Sequence, residues 1–297
     1  MELTFLGTSS AVPSTKRNHP AIALKAFGEI MLLDCGEGTQ RQLAFARISP
    51  MKINKIFLSH FHGDHILGLP GLIQSMGFRG RKEPLHIYGP KGLNALKNPI
   101  LNLGYCLIEF PIEFHEISDG IVVENEEYLI SCAKTKHNVT NLSYSVEEKK
   151  KPRFLREKAI ELGVQVGPDF SKLHNGEEVE VEGKIIKPSD VLGDKRKGKK
   201  ITYSGDTMPS EAMIKLAENS NLLIHEATYI FEDSDKAREN THSTSTDAGE
   251  IAKRANVEKL IITHISTRYT DDGKLLEQTK KIFKNSEIAT DLMTIEI

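Results

Sequence analysis

Short apolar runs separated by polar, glycine-bearing turns recur along the chain at residues 2–7, 21–24, 30–33, 53–58, 85–88, 112–117, 128–132, 142–146, 200–203, 222–224, 259–263 and 294–297. Each has the length of a buried strand. Segments whose apolar positions recur at helical spacing lie between them, at 66–76, 91–103, 209–217, 247–255 and 272–283, and a further helix opens within 34–42. Strand and helix alternating in this way predict a layered α/β protein.

The pattern breaks once. Lys149, Lys150, Lys151, Arg153 and Arg156 begin a polar stretch that holds Gly167-Pro168 and closes on Lys195, Arg196, Lys197, Lys199 and Lys200. Its apolar content is thin for an independent core, so residues from about 150 to about 197 read as an arm inserted into a single domain spanning 1–297. With 297 residues and 39% hydrophobic positions the chain can bury one large core or two small ones. A net charge of −2 announces no polyanion partner, and any nucleic-acid surface must be a local patch such as this arm.

Cys35, Cys106 and Cys132 form no C-x-x-C pair, which argues against a disulfide framework and fits core positions in a reducing compartment. The first strand begins at Met1 without a charged-then-apolar leader, and no apolar stretch is long enough to span a bilayer. The expectation is a cytoplasmic protein with no membrane association and no evident protein partner.

The chemistry concentrates at His60-Phe61-His62-Gly63-Asp64-His65, directly after the apolar run 53–58. Two imidazoles at i and i+2, then a carboxylate and a third imidazole at i+4 and i+5, cannot share one helical face. A strand-end loop turning into a helix can converge them, with Gly63 supplying the bend. Such a mixed N/O set suits a pair of borderline divalent ions, zinc first, with manganese or iron possible. His137, Asp206 and His264 each come just after a predicted strand as well, so loops at one rim of a layered structure can meet there. Taken alone, Asp206 in Ser204-Gly205-Asp206-Thr207 could equally cap the next helix.

The run His60-x-His62-x-Asp64-His65 resembles the signature of the metallo-β-lactamase superfamily, and the whole chain resembles its ribonuclease Z family, short form. The resemblance implies an αββα sandwich. It assigns His60, His62 and His137 to one metal, Asp64, His65 and His264 to a second, and Asp206 to both, two zinc ions per subunit in all. It further implies an endoribonuclease that removes the 3′ trailer of precursor tRNA, leaving a 3′-hydroxyl on the tRNA and a 5′-phosphate on the trailer after attack by a metal-bridging hydroxide. Asp64 then also orients or deprotonates the water. His242 in His242-Ser243-Thr244, held by Glu226, becomes the general acid for the leaving 3′-oxygen.

By the same resemblance the arm, through Gly167-Pro168 and both basic runs, grips the tRNA elbow, and the enzyme is a homodimer. The first loop departs from the family pattern Pro-x-Lys-x-Arg-Asn: the chain has Pro13-Ser14-Thr15-Lys16-Arg17-Asn18, with the lysine displaced by one position. That loop, with Lys16 and Arg17 as RNA contacts, is where the family sets cleavage position and rejects tRNAs ending in CCA. The alternatives are a small-molecule phosphodiesterase or arylsulfatase on the same dinuclear core, which would not need the arm, and an RNA-binding protein with a degenerate metal site. All seven expected ligands are present, against the latter.

Overall fold

The computed structural model describes every residue except 106, 107 and 195, so Cys106 and Lys195 lie outside the described residues. In chain order the strands are β1 Glu2–Gly7, β2 Ala21–Ala26, β3 Glu29–Leu33, β4 Ile53–Phe57, β5 Leu85–Gly89, β6 Ile112–Glu116, β7 Gly120–Glu124, β8 Tyr128–Thr135 and β9 Asn141–Glu148. They continue with β10 Val179–Val181, β11 Lys184–Ile186, β12 Lys200–Tyr203, β13 Leu222–Glu226, β14 Lys259–Thr263, β15 Ser286–Ile288 and β16 Thr294–Glu296. Two seven-stranded sheets result, ordered β16-β1-β2-β3-β4-β5-β6 and β15-β14-β13-β12-β9-β8-β7.

Each sheet buries both faces. On the first, Leu32, Ile56, Leu58 and Ile87 pack with Leu69, Leu72, Ile73 and Met76 of the helix Leu69–Phe78. The alternate positions point at the second sheet, where Phe57 meets Tyr144 with ring centroids 5.5 Å apart. The second sheet turns Leu223, Leu260 and Ile262 toward Ala248, Ile251 and Ala252 of the helix Ser245–Arg254 and Leu275 of the helix Gly273–Ile282. Two-residue alternation along each strand is what supplies apolar side chains to both layers, giving the αββα sandwich.

The sandwich, residues 1–125, 129–147 and 199–297, is one compact unit. A second comprises 126–128 and 148–198. The second unit contains the helices Arg156–Glu161, Pro168–His174 and Pro188–Val191 and the β10–β11 hairpin, closed over Ala159, Val164, Leu173, Val179, Ile186 and Val191. Strands β7 and β15 were not legible as apolar runs: β7 exposes Gly120, Ile121 and Glu124, and β15 is three residues long.

Candidate metal centre and active site

Strands β4, β8, β12 and β14 end at one rim, and the residues just beyond them carry the site. After β4 the chain reaches His60 and His62 and enters the one-turn helix Gly63–Ile66, which holds Asp64 and His65. The loop after β3 packs tightly on that turn: Cys35 N–H donates to the His65 carbonyl and Gly68 N–H to the Cys35 carbonyl, each at 2.9 Å. A Cβ on Gly205, which has φ +58°, would lie 2.7 Å from the Ser59 Cβ, so the approach to Asp206 needs glycine. Asp34, Thr241 and His264 also hold left-handed backbones, a strain that collects at functional rims.

All seven predicted ligands converge. His60 Nε2 lies 3.0 Å from His62 Nδ1, which is 3.3 Å from His137 Nε2. His65 Nε2 and His264 Nε2 are 3.4 Å apart, and each is 3.5 Å from Asp64 Oδ2. Asp206 Oδ2 reaches both sets, at 3.7 Å from His60, 3.4 Å from His65 and 3.3 Å from His264.

Outer partners fix the ring tautomers. Ser59 Oγ donates to Asp34 and accepts from His60 Nδ1 at 3.0 Å, leaving Nε2 as a lone pair. His137 Nδ1 donates to the Thr241 carbonyl at 2.9 Å. His264 Nδ1 donates to Thr228 Oγ1 at 2.9 Å, and that hydroxyl passes its own proton toward Glu226 Oε2 at 2.7 Å. His65 Nδ1 donates to Asp34 Oδ2 at 2.8 Å. Such carboxylate and carbonyl partners orient imidazoles for metal. Asp34, Ser59, Thr228 and Thr241 were not predicted; for Asp34 the signal was present, a carboxylate ending an apolar strand.

The electrostatics match a cation site. Burial, then the positive field of His65, pushes the His60 pKa well down. Burial likewise lowers His62 and His137. Asp206 resists its own burial because His264 and His65 hold its carboxyl well below the usual range. Asp64 is held low too, burial being outweighed by His264 and His65. His65 goes the other way: burial opposes the imidazolium, but Asp206 and Asp34 raise its pKa well above 6.5. Asp206 Oδ1 is buried without a hydrogen-bond partner, an unsatisfied acceptor that a cation would satisfy. Five imidazoles and two carboxylates therefore fit divalent metal of the zinc class, split as His60, His62, His137 and Asp206, and Asp64, His65 and His264.

Beside them stands the other predicted pair. His242 Nδ1 meets Glu226 Oε1 at 2.8 Å, and the same carboxylate accepts the Thr207 and Thr228 amides at 2.9 and 3.2 Å. The His242 and His137 rings are 5.0 Å apart by centroid. The first loop reaches the site through Ala11, whose N–H donates to Asp64 Oδ2 at 2.9 Å.

The predicted RNA-contact residues divide. Lys16, Lys151, Arg153, Arg156, Gly167, Pro168, Arg196 and Lys197 are exposed or half-exposed; Lys149 and Lys150 are half-buried. Lys150 pairs with Glu148 at 3.2 Å and Lys151 with Glu126 at 3.7 Å. Arg17 turns inward, with its guanidinium on Asp272, Thr8 and, at 2.6 Å, the Ala289 carbonyl.

Known proteins are similar to this chain. Residues 173–265 match the model of the beta-lactamase superfamily domain and residues 1–153 that of the anti-Pycsar protein Apyc1. The chain superposes on a metallo-beta-lactamase fold protein from Bacillus subtilis with TM-score 0.72 at 19% identity, covering 100% of this chain and 98% of that one. Fold and rim define its class, a protein of the metallo-β-lactamase fold. It is 57% identical to ribonuclease Z of Methanothermobacter thermautotrophicus, covering 100% of this chain and 97% of the relative. Its similarity to the crystal structure of human tRNase Z, short form, has TM-score 0.73 at 28% identity, covering 100% of this chain and 99% of that one. The chain belongs to the ribonuclease Z family and is a metal-dependent endoribonuclease, hydrolysing phosphodiester bonds.

Proposed function

We propose that this endoribonuclease removes the 3′ trailer from precursor tRNA, leaving a 3′-hydroxyl on the tRNA and a 5′-phosphate on the trailer. The observation that carries the reading is the meeting of both ligand sets on Asp206 Oδ2, with the His242–Glu226 pair beside it. His60, His62 and His137 would hold one zinc ion, Asp64, His65 and His264 a second, and Asp206 would be shared. When bound, two such ions acidify water and neutralise the charge that builds on the phosphate.

The chain's own residues supply the rest. Asp64 orients the attacking water while the Ala11 amide steadies its Oδ2. With Nδ1 committed to ionised Glu226, His242 presents Nε2–H and hands that proton to the ribose 3′-oxygen as its bond to phosphorus breaks. Residues of about 150–197 act as an inserted arm of a single domain. Lys151, Arg153, Arg156, Arg196 and Lys197, open to solvent, are suited to sequence-independent phosphate contacts. The family resemblance supports a homodimer working in the cytoplasm.

The test is cleavage of end-labelled precursor tRNA by metal-loaded protein and by Asp206→Ala, with product ends mapped to the nucleotide. The expected result is one cut near the discriminator base, absent in the variant. No cut on several precursors, beside metal-dependent hydrolysis of a small diester, would overturn the reading in favour of a phosphodiesterase.

A further inference from the structure

We propose that His86, Glu113 and His115 form a separate site for a zinc-class divalent cation on the β5–β6 edge of the first sheet. None of the three belongs to the catalytic rim, and the proposal does not depend on the substrate. Parallel pairing sets His86 opposite Glu113 and Tyr88 opposite His115, so all three donors rise from one face of two adjacent strands.

The donor atoms already stand at the spacing a metal needs. His86 Nδ1 is 3.2 Å from His115 Nε2 and 3.3 Å from Glu113 Oε2, and His115 Nε2 is 3.6 Å from the same oxygen. In a tetrahedral zinc site with bonds of about 2.0–2.2 Å, neighbouring donors sit roughly 3.3–3.6 Å apart. The triangle is therefore one face of such a tetrahedron. Its side chains are 31%, 52% and 35% exposed in chain order, which leaves the fourth position to water. The donor set, two imidazoles and a carboxylate, is one that zinc accepts.

The rings are held rather than free. His115 stacks on Tyr88 with centroids 4.6 Å apart and 17° between planes, and Tyr88 stacks in turn on buried Phe57 at 4.9 Å. Because β6 is the last strand of its sheet, a shared ion would staple that edge to β5 and blunt an otherwise pairable strand.

Zinc titration against a chromophoric chelator, run on the wild type and on His115→Ala, tests this. The wild type should bind one more equivalent, while RNA cleavage by the variant stays within about twofold. Saturating zinc should also raise the melting temperature of the wild type by several degrees more than that of the variant. Equal numbers of equivalents in two cooperatively melting proteins would overturn the site. If His115→Ala does not melt cooperatively, Glu113→Gln replaces it: a weakening of one equivalent by about tenfold or more supports the site, and unchanged affinity overturns it.

Discussion

Asp34 organises the candidate metal centre through hydrogen bonds without being one of the seven converging ligands. Its fully buried carboxylate accepts four bonds: Ser59 N–H at 2.7 Å, Ser59 Oγ at 2.8 Å, His65 Nδ1 at 2.8 Å and Tyr203 OH at 2.7 Å. Removing the acceptor leaves each donor unsatisfied at about 1–3 kcal/mol, so Asp34→Ala costs about 4–12 kcal/mol, comparable with the whole stability of a domain. That variant unfolds and tests nothing. Asp34→Asn keeps the shape and the acceptor for Ser59 N–H but replaces Oδ2 with an amide, facing three donors with a fourth. Ser59 and Tyr203 can re-aim their hydroxyls, at a total cost of about 2–4 kcal/mol. His65 can only move its proton to Nε2, the atom that faces Asp64, Asp206 and His264. The lone pair is then lost to the metal, and affinity should fall about 10–100-fold, or about 1.4–2.7 kcal/mol. Competition against a chelating dye measures this, with thermal unfolding in chelator as the control for folding. Affinity within about threefold of wild type in a folded Asp34→Asn would refute the argument.

The remaining expectations concern the acid, its titration and the arm. His242→Ala should lower kcat by about 10²–10⁴ with metal content unchanged, and a parallel loss of metal would show that the ring acts as a ligand instead. Burial disfavours the His242 imidazolium, but Glu226 outweighs it and lifts the pKa from 6.5 to about 9. The resulting stability is full below about pH 6.5 and lost as pH climbs through about 9. Urea unfolding of chelated protein should therefore weaken across that window, and less steeply in His242→Ala; identical slopes would refute the pairing. Replacing residues 150–197 with a short linker should abolish precursor-tRNA cleavage yet preserve small-diester hydrolysis, and unchanged tRNA turnover would remove the arm from recognition.

Much of the site is legible in the amino-acid order alone. His60, His62, Asp64 and His65 fall within six residues after an apolar run, and a buried strand must deliver the residues beyond its end to a rim. His137, Asp206 and His264 also follow strands, β8, β12 and β14, but it was the family resemblance that singled them out as ligands. Asp34 was passed over although β3 ends at the preceding residue, a strand-end carboxylate of the same kind. Arg17 reads as an RNA contact of the first loop, and only packing reveals Asp272 and Thr8 around its guanidinium. The arm's sparse apolar residues hid a small buried cluster because its members lie up to thirty-two positions apart, from Ala159 to Val191.

Local pattern by itself determined the layered α/β class and the donor-rich cluster from His60 to His65, because strand period and donor chemistry are properties of neighbouring residues. Register is not. The pairing that brings His86 to Glu113 and His115, the four bonds gathered on Asp34, and the placing of one carboxylate oxygen between two sets of imidazoles are long-range. The first exists only once β5 and β6 have paired and the other two only once both sheets have packed, since no residue can carry in its own neighbourhood the position of a partner about two hundred residues away.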